Sequence, residues 1–260
     1  MTEIKHTPGP WEAISNSRGR EMDGIFTHKF GGWYDAPARR WKNTDSSEGG
    51  IVATNAIVPA KVRIPADCVV WPNAKISENG ASIGYGASIG YGASIGNRAS
   101  IGNRASIGDG ASIGYGASIG DRASIGDGAS IGDGASIGDG ASIGNRASIG
   151  NRASIGDGAS IGDGASIGYG AKYNAGDWLF VLGPQGSRDA WATVVYSAED
   201  KNLLWWIGCR NAETTEQVLA AIERDHGASD HGDDYRHAVQ CVVNHPGLAR
   251  AIACATKNEA

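Results

Sequence analysis

The chain has 260 residues, a formal net charge of −5 and 40 glycines against only three phenylalanines. The acidic balance argues against a general nucleic-acid binder, which presents a basic face, and no run of 18 apolar residues exists to cross a membrane. No charged-then-apolar leader opens the sequence, and Cys68, Cys209, Cys241 and Cys254 lack CxxC spacing, so free thiols in a reducing cytoplasm are expected.

Residues 1–49 mix Trp11, Phe26, Phe30, Trp33, Tyr34 and Trp41 with Gly, Pro, Asp and Arg. This suits a small β-rich cap over a repeat array, whose terminal unit otherwise exposes an edge and an apolar interior. An aromatic ligand surface is the sharper alternative. From residue 50 a pattern of six begins. Val52, Val58, Ile64, Val70 and Ile76 recur at that spacing, with Gly50, Ala56, Val62, Cys68 and Ala74 two places before each. One extra residue falls within Ser77-Glu78-Asn79-Gly80, most simply at a corner. Ala-Ser-Ile-Gly-x-x then repeats fifteen times from Ala81 to Gly170, and Ala171-Lys172-Tyr173 keeps the phase.

A helix cannot hold this segment, because a period of six drifts around a 3.6-residue turn and the isoleucines would not share a face. A strand fits: Ala and Ile point one way and Ser the other. Gly-x-x supplies a corner, since Gly, Asn and Asp tolerate positive φ. Pieces this short gain partners only by stacking coil on coil. The unit resembles the hexapeptide repeat of left-handed parallel β-helices, with an aliphatic residue at i and a small one at i−2. The resemblance implies three hexads per 18-residue coil, hence about seven coils over 50–176, a left hand and a homotrimer. Wrapped at 18, the Arg-bearing corners scatter over all three corner columns, so no dedicated binding stripe is expected and the Asp and Asn letters read as solvated corners.

The composition changes at Asp177. Strands are expected at Trp178–Leu182, Ala190–Tyr196 and Leu203–Gly208. Thr214 with Gln217 three residues on reads as a capping box for a helix to about Asp225. Further helices follow from about Asp233 to His245 and from Leu248 to Ala255. The expectation is a mostly β chain: cap 1–49, rod 50–176, and an α+β module 177–260 of three strands and two to three helices.

The hexapeptide resemblance also implies acyltransferases, in which a histidine acts as general base and a loop projects from a coil. This chain has no histidine between His28 and His226 and no loop in its perfect repeats, so acyl transfer stands as the alternative. The start His6-Thr7-Pro8-Gly9-Pro10-Trp11 and the C-terminal module resemble phage and prophage proteins that bear hexapeptide repeats. In the module, Ser187 and Arg188 after a strand, Cys209 after a later strand, and His226 and Tyr235 around a helix end form the candidate ligand-binding set. Their donors suit an anion. The His226–His237 stretch fits no zinc spacing, so no metal and no cofactor is expected. The expected function is thus a non-enzymatic, cytoplasmic phage-type trimer. Its ends would bind an anionic or nucleotide-like small molecule, such as a host-defence signal, or a host protein, but no nucleic acid and no membrane. A structural virion component is the second alternative.

Overall fold

The computed structural model describes residues 12–15, 21–185, 190–199, 201–207 and 210–257. Strands β1 (Glu12–Ser15), β2 (Glu21–Phe30), β3 (Tyr34–Lys42) and β4 (Glu48–Ala53) lead into two-residue strands. These begin at β5 (Val69–Val70) and β6 (Lys75–Ile76), continue every six residues from β7 (Ser82–Ile83) to β21 (Ser166–Ile167), and end at β22 (Lys172–Tyr173). Each pairs in parallel with the strand one coil away, Ser over Ser and Ile over Ile, as in Ser100↔Ser118 and Ile101↔Ile119. Three stacked faces result, making a parallel β-solenoid of about seven turns. At roughly 4.8 Å between strands, the rod is about 30–35 Å long.

The repeat follows from its letters. The Ala and Ile of the perfect units fill the interior, from Ala87 and Ile89 at 0% exposed to Ile161 at 2%, and each buried Ile contributes about 1.5–3 kcal/mol. Ser faces outward. Parallel ladder bonds run up the faces, as in Ser100 N–H to the Ala117 carbonyl at 2.9 Å and Gly102 N–H to the Ile119 carbonyl at 2.8 Å.

The corners correct one expectation. The left-handed position is the second corner letter, Gly at φ +63° to +68° in the perfect units or Arg at +56° to +59°, and not Asp or Asn. The first letter has another task. Every Asp or Asn there, from Asn97 to Asp163, accepts through Oδ1 the backbone N–H of the residue 18 positions earlier. Examples are Tyr85 to Asn103 at 2.8 Å, Asp121 to Asp139 at 2.7 Å and Asp133 to Asn151 at 2.9 Å. These side chains bond one coil to the next. The extra residue sits at the corner, as its spacing suggests: Asn79 and Gly80 rejoin the third column beneath Asn97 and Arg98.

At the N-terminal end β1, β2 and β3 are antiparallel, and β4 joins β3 to the parallel stack, so cap and rod share one sheet. Buried Asn43 pins the first coil, donating to the Ile64 carbonyl at 3.2 Å and accepting from Ile64 N–H at 2.9 Å. Trp41 Nε1 donates to the Val62 carbonyl at 3.2 Å.

At the other end β23 (Trp178–Gln185), β24 (Ala190–Ser197), β25 (Asn202–Ile207) and β26 (Arg210–Thr214) form an antiparallel sheet. That is one strand more than expected. Helices α1 (Thr215–His226), α2 (Asp230–Val243) and α3 (Pro246–Lys257) follow. Alternation along β24 and β25 divides the sheet. Val194 and Trp205 pack under α1 and α2, whereas Val195 and Trp206 join the core of the rod. Thr193 Oγ1 accepts from Gly168 N–H at 2.9 Å and donates to the Ser166 carbonyl at 3.2 Å, substituting for the coil that would come next. The capping box forms as read, with Gln217 N–H on Thr214 Oγ1 and Thr214 N–H on Gln217 Oε1.

Candidate functional site

Three places carry chemistry. The first is a chain of rings on the cap. Phe26, His28 and Phe30 share one side of β2, because alternate residues of a strand do. His28 meets Phe30 edge-on at 4.6 Å between centroids. Phe30 packs on Trp71 at 5.5 Å, Trp71 on Trp33 at 6.2 Å, Trp33 on Tyr34 at 6.0 Å, and Tyr34 on Tyr91 at 6.1 Å. The run starts in a closed core, with Phe30 at 0% exposed, and passes into the open at Trp33, 71% exposed. His28, half-buried, stands at its inner end against Phe26 and Phe30. Burial pushes its pKa below the ordinary histidine value, and the Arg40 guanidinium pushes it the same way. The imidazole is therefore neutral at pH 7 and able to take a proton.

The second is an open groove of about 620 Å³ along one corner column, lined by Asp67, Tyr85, Asn103, Arg104, Arg122 and Asp139. Here alone in the repeats do two arginines follow each other in successive coils. Asp121 at the same corner is held below the usual carboxylate range by hydrogen bonds from the backbone and side chain of Asn103, and to a lesser degree by Arg122.

The third is the set expected in the C-terminal module. Ser187, Arg188 and Cys209 lie outside the described residues. His226 and Tyr235 come together across α1 and α2, with ring centroids 5.1 Å apart. Tyr235 also packs against the module core, so part of this contact is ordinary packing. His231 and His237 sit on α2, which begins at Asp230. His237 Nε2 lies 3.5 Å from Cys241 Sγ, one helical turn away. Among the described residues no group of three His, Cys, Asp or Glu side chains could hold a metal ion. Cys68 and Cys241 are free thiols, and burial raises the pKa of the Cys68 thiol.

Sequence reasoning offered the first place only as an alternative, an aromatic ligand surface in residues 1–49, and missed the second. The aromatic letters were visible in residues 1–49, but their joining through Trp71 and Tyr91 depends on how the cap stacks on the coils. Wrapping at 18 does place Arg104 over Arg122, a signal that sorting for a whole stripe passed over.

The family model described as bacterial transferase hexapeptide (six repeats) matches residues 140–172. The rod is a hexapeptide-repeat β-helix. Among solved structures, the hexapeptide β-helix is similar to a GDP-perosamine N-acetyl transferase from Caulobacter crescentus, at 26% identity over 45% of this chain and 48% of that one, with a TM-score of 0.32. It is also similar to a hexapeptide transferase family protein from Anaplasma phagocytophilum, at 19% identity over 72% and 97%, TM-score 0.39. A third is the UDP-N-acetylglucosamine acyltransferase of Francisella novicida, at 23% identity over 46% and 55%, TM-score 0.23. The chain thus spans about half the length of the first of these. No curated protein matches it. These findings correct the expected non-enzymatic phage-type binder. The model that matches the coils describes bacterial transferases, an enzyme class and not a binding module. Among the described residues no helix is long and apolar enough to cross a membrane.

Proposed function

We propose that the protein is an acyltransferase that moves an acyl group from a thioester donor to a hydroxyl or amine. The observation that carries this reading is the transferase hexapeptide match inside the stacked coils. The chemistry needs a base within reach of the acceptor proton, and among the described residues the coils of the rod hold no histidine. His28 meets the need from the cap: it is neutral at pH 7, part-exposed, and joined through the buried Phe30 and then Trp71 to the exposed Trp33. On this reading His28 takes the acceptor proton as the acceptor attacks the thioester carbonyl, and the thiolate leaves. Arg104 and Arg122 are the cations placed to hold an anionic portion of the donor. The reading includes a homotrimer and a cytoplasmic location, both carried from the hexapeptide resemblance and the free thiols.

The test is release of free thiol from acetyl-coenzyme A in the presence of amino-sugar, hydroxy-sugar and amino-acid acceptors. Turnover is expected, and His28→Asn should lower it at least about 100-fold, the usual share of a general base. Absence of thiol release with every acceptor, or full activity in His28→Asn, would overturn the proposal.

A further inference from the structure

We propose that the cavity between the last coil and the C-terminal sheet binds a small zwitterion of the α-amino-acid class. It has a volume of about 390 Å³, and Lys172, Val195, Glu199, Leu204 and Trp206 contribute to its lining. That size falls within the range of small-molecule pockets.

Three features of the lining point to an occupant. Trp206 is 3% exposed, and its buried Nε1–H has no hydrogen-bond partner among the described residues. Its neighbour Trp205, on the opposite face of β25, gives its own indole N–H to Thr215 Oγ1 at 3.0 Å. Buried donors are almost always satisfied, so an unmet one on a residue that lines a cavity points to a missing acceptor. Next, Lys172 and Glu199 are both exposed, and neither makes an ion pair among the described residues. Asp177, which also borders the cavity, is already committed: Asn174 N–H and Ala198 N–H occupy its two oxygens at 2.8 and 3.0 Å. Finally, Val195 and Leu204 give the wall an apolar stretch.

One cation, one anion, one unused N–H and an aliphatic surface are the complement of a single molecule type. A carboxylate fits between Lys172 and the Trp206 indole, an ammonium fits at Glu199, and an aliphatic side chain lies on Val195 and Leu204. The cavity is at the opposite end of the rod from His28, so the inference stands apart from the acyl-transfer reading.

The experiment is a titration of the full-length ¹⁵N-labelled protein with L-leucine, following the Trp206 indole N–H resonance, which is assigned by its loss in Trp206→Phe. A saturable shift is expected. N-acetyl-leucine, which lacks the ammonium, and leucinamide, which lacks the carboxylate, should each bind about tenfold more weakly or worse. The exposed changes Glu199→Gln and Lys172→Met should each weaken L-leucine by a similar factor, and both leave the core untouched. No shift up to about 10 mM L-leucine, a range in which even weak binding registers, would overturn the inference. So would equal binding of L-leucine and its two charge-deleted analogues.

Discussion

Gly108 and Gly162 occupy the same place in identical hexads, Ala-Ser-Ile-Gly-Asp-Gly, and stack in the same column. They should nevertheless respond oppositely to alanine. A Cβ on Gly108 would lie 2.5 Å from Asp127 Oδ1 and 2.6 Å from both the Asp127 nitrogen and the Gly126 carbonyl carbon. Those atoms belong to the next coil, which cannot retreat without breaking its own ladder. Overpacking of this kind costs about 1–3 kcal/mol. A Cβ on Gly162 meets nothing within 4 Å, because no further coil lies above it. Its φ is outside the left-handed region, so alanine there should stabilise by about 0.4–1 kcal/mol through the unfolded chain. The gap between the two variants is about 1.5–4 kcal/mol, or roughly 3–16 °C in Tm for a chain of this size. Thermal melts give the ranking. Because a solenoid can open locally, amide exchange gives the location, with the amides of residues 108 and 109 exchanging faster in Gly108→Ala alone. Equal losses in the two variants would show that this glycine is needed for its backbone conformation and not for close stacking, and would refute the reasoning.

Three other outcomes follow from the same geometry. Asp121→Asn should be tolerated, since an amide oxygen still accepts Asn103 N–H, whereas Asp121→Ala should speed amide exchange at Asn103. The Asp121 pKa is lowered in the fold, so its contribution is present above the unfolded value and is lost as pH falls through the folded one; carboxylate NMR titration checks this. Asn43→Ala leaves the Ile64 N–H and carbonyl without their buried partner and should cost about 1–3 kcal/mol in chemical denaturation. The His28 pKa is also lowered, by burial first. Its folded state therefore binds the proton more weakly than the unfolded chain, and stability attached to it is present above the ordinary histidine value and fades as pH drops below it. NMR titration of the imidazole should give a midpoint below 6.5, and any acyl-transfer rate should be level at pH 7 and fall with the same midpoint.

Most of the rod could be read from one residue type. Ile at every sixth place admits no helix and, once coiled, fixes which side is inside. The coil-to-coil bonds of Asp and Asn could not be read, because a corner letter looks the same whether it meets water or a backbone N–H 18 residues away. Position β26 was missed for a related reason. Arg210-Asn-Ala-Glu-Thr214 has no apolar alternation, and it becomes a strand only because β25 offers it an edge. The second helix starts at Asp230 and not Asp233 because Ser229 Oγ accepts Gly232 N–H and caps it. Within the candidate sites, His28 was visible as a lone histidine in the cap. Its neutral state was not, since that follows from burial against Phe30 and from Arg40, four positions along β3 from Ala36, the residue opposite His28.

The corner at residues 77–80 shows how the register of near-identical units is kept. Sliding by one whole coil preserves every Ala and Ile contact, so the perfect region alone carries little register information. The coil from Val70 to Ile89 holds one residue more than the others, and its strands still pair in phase, Val70↔Ile89 and Ile76↔Ile95. A corner therefore absorbs an added residue, whereas a strand, whose faces alternate, cannot. One glycine inserted between Asp127 and Gly128 should cost only about 0.5–1.5 kcal/mol, since it displaces the Gly128 N–H bond to the Asp109 carbonyl but leaves every buried isoleucine in place. The same glycine between Ser124 and Ile125 either turns Ile125 outward or leaves glycine at its inward place. Either outcome removes one buried isoleucine and costs about 2–5 kcal/mol. Limited proteolysis separates the two: only the strand insertion should open a cleavage site near residue 125. Equal resistance of both variants would mean that the stack tolerates a missing isoleucine, and that the corner bonds of Asp and Asn hold the coils together without it.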